Sequence, residues 1–181
     1  ETPRSPSLFR VVFLSLGLVL AVVLGIFVQF TYGLLASPDA SQQPTAVAVP
    51  GQTHRIDIRE ATYSQLDGCT SCTASKGPDG QPVAGLSYAQ AKTICVHLGG
   101  RLPSEEEWLG ALASSESGAL IGVVDLAGSL WEWADHTNGP VLLGGSYNSE
   151  PSQVGGKGRL VPTAGESRED AGVRCVYDQP G

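Results

Sequence analysis

The sequence predicts an α+β domain with little regular secondary structure, preceded by one transmembrane helix. Three observations carry this. A run without a charged residue extends from Val11 to Ala36. Two helices are signalled downstream by capping boxes that begin at Ser87 and Ser104. Glycine breaks the rest into short stretches, with 23 Gly and 12 Pro among 181 residues. That glycine and proline content excludes a long coiled coil, because both residues interrupt helices. With 41% hydrophobic residues in clear patterns, the chain is not wholly disordered either. A net charge of −7 argues against nucleic acid as a partner, since phosphates call for a basic face. There is no Met, not even at position 1, which points to an original start upstream of Glu1.

The uncharged run reads as a retained membrane anchor. Its 26 residues would reach roughly 39 Å as a helix, beyond the ~30 Å hydrocarbon core. Tyr32 suits the interface at its end. A cleaved signal peptide has a shorter apolar core of ~7–15 residues, and Pro38 intrudes where a cleavage site would fall. Arg4 and Arg10 precede the span, and the next basic residue is Arg55. Residues 1–10 are therefore expected in the cytoplasm, with a single pass through the inner membrane and the C-terminal domain periplasmic or extracellular. Gly17, Ala21 and Gly25 form a stripe of small residues along one helix face. Other integral membrane subunits would pack there within the lipid bilayer.

Residues 37–51, with Pro38, Pro44 and Pro50, read as an extended tether. Residues 52–181 are long enough for one domain. From residue 37 onward nine Lys and Arg face seventeen Asp and Glu, a balance of −8. An acidic outer domain attracts basic soluble proteins. Within it, His54–Ile58 reads as a strand. Ser87 and Gln90 cap a helix whose apolar face is Ala91, Ile94, Cys95 and Leu98, and which Gly99 stops. Ser104 and Glu107 cap the next helix, with Trp108, Ala111 and Leu112 facing inward. The run Glu105–Glu107 reads as a solvated first turn at the positive end of the helix dipole rather than a metal cluster. Val141–Leu143 reads as a second strand. So small a regular core would gain from staples.

The four cysteines, Cys69, Cys72, Cys95 and Cys175, all follow the span, on the side expected to be oxidising. They allow three pairings. Cys69–Cys72 with Cys95–Cys175 is the favoured one, and the latter bond would contribute roughly 4–5 kcal/mol in the chain-entropy picture. Covalent haem attachment would need His where Thr73 stands. Structural zinc would need four ligands where two cluster. A thioredoxin-like redox pair lacks a surrounding βαβ pattern. A loop-tying disulfide fits Cys69-Thr70-Ser71-Cys72 best.

Four segments in order resemble the formylglycine-generating-enzyme, or sulfatase-modifying-factor, family. They are Ile56–Thr62; Pro82–Ala91 with Cys95 and Gly99–Trp108; Asp125–Trp133; and Leu143–Tyr147 with the closing Gly172–Val176. Order and spacing match over roughly residues 52–178. The resemblance implies a C-type-lectin-like α+β fold, a Cys95–Cys175 bond, and Trp131 and Trp133 in the core. It also implies a calcium site. The ligands would be the Asp125 side chain, the Gly128 and Leu130 carbonyls, and Glu132, a hard-oxygen set. Asp125 stands where the family has Asn, which keeps an oxygen ligand. Without metal, Asp125 reads as a turn residue and Glu132 as a partner for an Arg. The family's second calcium site is not expected, because Ser114–Val124 is short and carries one acid, Glu116.

The family's oxygenases bind copper through two Cys after the Gly-Gly-Ser segment. Ser149 and Val154 occupy those places here, so the thiolates that soft Cu(I) requires are missing. The resemblance therefore implies a silent domain, not an enzyme. Three function classes follow. The favoured one is a non-catalytic, single-pass accessory subunit of an inner-membrane complex, with respiratory or photosynthetic electron transfer as the expected setting. The second is a membrane-tethered, lectin-like ligand-binding module using the loops Cys69–Pro82 and Asn148–Glu169. The third is a divergent metal-dependent oxidase, but His54, His97 and His136 are scattered and suggest no facial cluster.

Overall fold

A computed structural model describes residues 46–74, 76–120 and 122–179. The expected anchor at 11–36, its Gly17, Ala21 and Gly25 stripe, the segment 1–10 and the first part of the tether lie outside those residues. Among the described residues no helix is long and apolar enough to cross a membrane.

The tether ends earlier than the sequence suggests. Residues Ala46–Ala48 form strand β1, antiparallel to β2 (His54–Asp57), with Val47 opposite Ile56. The Ala-Val-Ala-Val alternation supplies a strand between Pro44 and Pro50, and Val49 is buried. Strand β7 (Val176–Asp178) pairs with the other edge of β2, so the last described strand lies beside one of the first. A second sheet has the order β5-β4-β3-β6. It consists of Gly155–Leu160 (β5), Val141–Gly144 (β4), Trp131–Ala134 (β3) and Ala171–Gly172 (β6), with β6 parallel to β3.

Both helices begin where their caps indicate. Helix α1 covers Tyr88–His97, and the Ser87 side chain accepts from the Gln90 N–H. Helix α2 covers Glu105–Glu116, with Ser104 and Glu107 exchanging the reciprocal bonds. The first turn of α2 is not simply solvated. Glu107 takes a forked pair of bonds from Arg101, at 2.7 Å each, and Arg159 binds Glu105.

Sheet parity separates two of the three core clusters, the third being Val49, Ile56, Ala111, Leu120 and Val176. Trp131 and Trp133 point to one face, where they join Val83, Leu86, Ile94 and Cys95. Ala134 lies on the opposite face with Val141 and Leu143, under Trp108 and Leu112 of α2. Every residue of β3 and β4 is buried, so a polar side chain in either strand must find its partners inside the protein. Gly144 (φ 90°) forms the bulge between β4 and β5. A Cβ there would meet the Leu126 carbonyl at 2.8 Å and the Trp108 ring at 2.9 Å. Cys95 is bonded to Cys175, fastening α1 to the chain entering β7, and Cys69 is bonded to Cys72.

Candidate functional site

The segment 125–132 leads from an exposed turn into strand β3. Asp125 is the one non-glycine among the described residues with positive φ, at 55°. Asp tolerates this conformation better than most residues. Glu132 lies on the α2 face of β3 and is fully buried. Its carboxylate accepts from Arg174 Nε at 3.1 and 3.2 Å, from Arg174 Nη2 at 2.9 Å, and from Trp108 Nε1 at 2.6 Å. Arg174, also fully buried, further donates to the carbonyls of Asp57 (2.9 Å), Val124 (2.9 Å) and Asp125 (3.2 Å). One guanidinium thus fastens β2, the 124–125 turn and β3 together. Its planar fork of donors suits a carboxylate and several carbonyls at once.

Two further buried acids surround this cation. Glu60 Oε2 lies 3.8 Å from Arg174 Nη2, while Oε1 has no partner in the protein. Burial raises the Glu60 carboxyl above its ordinary range, and nearby Glu132 adds to this. Asp57 Oδ2 accepts from the Cys175 N–H and the Tyr177 hydroxyl, both at 3.2 Å, and Oδ1 is unpartnered. Burial pushes the Asp57 carboxyl up to about 6.

The four residues that the resemblance offers to calcium do not fit that ion in this arrangement. Calcium takes six to eight oxygens. Here Glu132 is already occupied by Arg174 and Trp108, and a dication at that carboxylate would sit beside a guanidinium. Asp125 is exposed, and its carbonyl is turned to Arg174. Among the described residues no three His, Cys, Asp or Glu side chains are grouped as metal ligands would be.

The loop after Gly144-Gly145 is held by serines. Ser149 Oγ accepts from the Ser146 N–H at 2.8 Å, and Ser146 Oγ donates to Asp170 at 2.7 Å. Beside it, Tyr147 is 65% exposed, and Val154 is also open to solvent. Ser149 is therefore part of a turn, and Val154 is part of a partly apolar rim.

Each loop singled out in the sequence borders a cleft. Pro162–Glu166 and Pro140 enclose about 360 Å³ with Tyr88 and Trp133. The Tyr88 hydroxyl donates to Asp135 at 2.7 Å, which pushes its pKa up to about 12. The second cleft, about 300 Å³, is lined by Tyr63, Asp67, Cys69, Cys72 and Lys76. Sequence reasoning missed Asp57, Glu60 and Arg174 as a unit. The signal was Trp131-Glu132-Trp133: alternation sends Glu132 to the face opposite the two tryptophans, and α2 covers that face.

Comparison with solved structures identifies the fold. The chain is similar to the Major Tropism Determinant U1 Variant, with TM-score 0.55 and 21% identity over 74% of this chain and 52% of that one. It is similar to CarF, with TM-score 0.56 and 16% identity over 70% of this chain and 87% of that one. The Major Tropism Determinant P3c Variant matches at TM-score 0.54 and 20% identity, over 75% of this chain and 54% of that one. The chain thus spans about half the length of the tropism determinants. These neighbours are C-type-lectin-like folds, and the described part of the chain shares that fold. No family model matches the chain, and no curated protein matches it in sequence.

Proposed function

We propose that the chain is a non-catalytic relative of the formylglycine-generating-enzyme family, acting as a single-pass accessory subunit of an inner-membrane complex. In this reading residues 11–36 anchor it, and the acidic lectin-like domain docks against other subunits or a basic soluble partner on the periplasmic face. A respiratory or photosynthetic electron-transfer assembly is the setting we favour. The ordered motifs over residues 52–178 and the C-type-lectin-like fold support the family reading. The observation that carries the non-catalytic part is the state of the sulfur. All four cysteines of the chain are in disulfides. Where the resembling oxygenases hold copper thiolates, this chain has Ser149, whose hydroxyl accepts from Ser146, and the rim residue Val154.

The test is purification of the full chain from its native membrane in mild detergent, with mass spectrometry of everything that accompanies it. Stoichiometric integral membrane subunits are expected. Replacing Gly17, Ala21 and Gly25 together by Leu should strip them away by blocking close helix approach. A lone monomer, or turnover by the domain itself, overturns the proposal. The cleft beside Tyr88 and Trp133 favours a second reading, a tethered ligand-binding module. Saturable capture of a glycan or peptide, lost on Tyr88→Ala, would distinguish it.

A further inference from the structure

The two disulfides sit in opposite surroundings. Cys95 and Cys175 are wholly buried, packed among Ile94, Trp131 and Val173. Cys69 and Cys72 are both partly exposed, and both line the cleft of about 300 Å³ beside Tyr63 and Lys76. A thiolate must reach a sulfur to attack a disulfide, so access separates labile bonds from inert ones. The flanks of the small ring are tied independently of the bond. The Cys69 N–H donates to the Leu66 carbonyl at 2.9 Å. On the other side, Gln90 Nε2 donates to the carbonyl and hydroxyl of Thr73, at 3.2 Å each. Opening the bond therefore leaves both sulfurs near each other, ready to close again.

We propose that Cys69–Cys72 is a thiol–disulfide exchange site for a dithiol reductant, a role compatible with tying its loop, while Cys95–Cys175 is a permanent staple. Ser71 Oγ lies 3.7 Å from Cys69 Sγ. A disulfide sulfur has no proton, so the hydroxyl is the donor, and the same bond steadies a thiolate at Cys69. Attack therefore falls on Cys72. The incoming thiolate bonds to Cys72 Sγ, the S–S bond breaks, and Cys69 leaves as a thiolate that takes a proton from water. The reductant's second thiolate then attacks its own sulfur in the mixed disulfide and releases Cys72, which is protonated in turn. Two electrons pass to the protein, and the dithiol becomes a disulfide. None of this depends on whether the domain docks on membrane subunits.

The test treats the folded full chain, in detergent micelles, with dithiothreitol, then iodoacetamide, and maps the labelled peptides. Two labels are expected, at Cys69 and Cys72. Cys95 and Cys175 should stay unlabelled until guanidinium is added, and oxidised glutathione should abolish the native labelling. No thiol released from the folded chain, or all four labelled together, overturns the proposal. The double variant Cys69→Ser/Cys72→Ser should melt within a few degrees of the parent. A fall as large as that of Cys95→Ser/Cys175→Ser would make the exposed bond a structural staple and overturn it too. Ser71→Ala should slow thiol release severalfold, and an unchanged rate rejects the leaving-group assignment.

Discussion

Arg174 and Arg101 each join segments far apart in the chain, one in full burial and the other at the rim. Arg174 has no exposed surface and shares Glu132 with the Trp108 indole. Arg101 is 41% exposed and lies between Glu107 and Asp178, at 2.7 Å from each. The geometry around Arg101 is as good as that around Arg174, so distance alone does not separate them. Surroundings do. Water can replace either partner of Arg101, whereas Arg174 is fully buried and cannot turn to water in place of Glu132. The buried arrangement also carries more acid than base, with Asp57, Glu60 and Glu132 around one guanidinium. The rim arrangement holds Glu107 well below the usual carboxylate range through its Arg101 bonds. Burial instead raises Asp57 and Glu60.

The largest effect is expected at Glu132. Glu132→Ala leaves the guanidinium of Arg174 and the Trp108 N–H buried without their acceptor. Removing one partner of a buried pair costs about 3–5 kcal/mol. The loss should appear as a lower urea midpoint with an unchanged slope. A loss below about 1 kcal/mol would show that water reaches Arg174 and would erase the contrast with Arg101.

The next effect is a pH dependence whose sign separates the buried carboxyls from the rim, and Asp57 is where it can be isolated. Asp57 is raised from 3.8 to about 6. Its folded form binds the proton more tightly than its unfolded form. The associated stability is therefore complete below about pH 4 and is lost as pH rises through about 6. A shift of about two units corresponds to about 3 kcal/mol. Glu107 has the opposite sign, because a lowered carboxyl contributes stability above about pH 4.5 that is lost as pH falls. Asp57→Asn should remove the first contribution and keep the second. Its stability relative to the parent should therefore improve between pH 4 and 7 by about 2–3 kcal/mol. Parallel stability curves for parent and variant would place Asp57 in contact with solvent.

What the sequence reveals, and what it hides, follows the same division. Caps are local, so Ser87 with Gln90 and Ser104 with Glu107 mark both helix starts within the chain itself. A disulfide is harder, yet a short Cys69–Cys72 spacing leaves one distant pair to close the remaining bond. Glu132 could be placed only as an oxygen ligand or an arginine partner. Deciding required knowing that α2 covers that face of β3, a contact 24 residues away. Arg174 was harder still, since its acceptors at Asp57 and Val124 lie 117 and 50 residues from it. Strand β1 was hidden by the prolines around it. Strand β5, Gly-Gly-Lys-Gly-Arg-Leu, has no apolar alternation, and pairing with β4 makes it a strand.

The smallest effect is expected at Arg101, and it sharpens the contrast through salt as well as size. Arg101→Ala removes bonds to Glu107 and Asp178, but both carboxylates can turn to water. Glu107 also keeps its bond from the Ser104 N–H, so the α2 cap survives. Exposed pairs contribute about 0.2–1 kcal/mol, and charges at the surface are screened over about 8–10 Å at moderate salt. The Arg101→Ala loss should therefore stay below about 1 kcal/mol and shrink further in 1 M NaCl, where screening acts over about 3 Å. The Glu132→Ala loss should hold, because no ion enters between Arg174 and Trp108. Equal salt dependence in the two variants would mean that burial does not distinguish the arginines, and the reading of Arg174 as the central tie of the fold would fail with it.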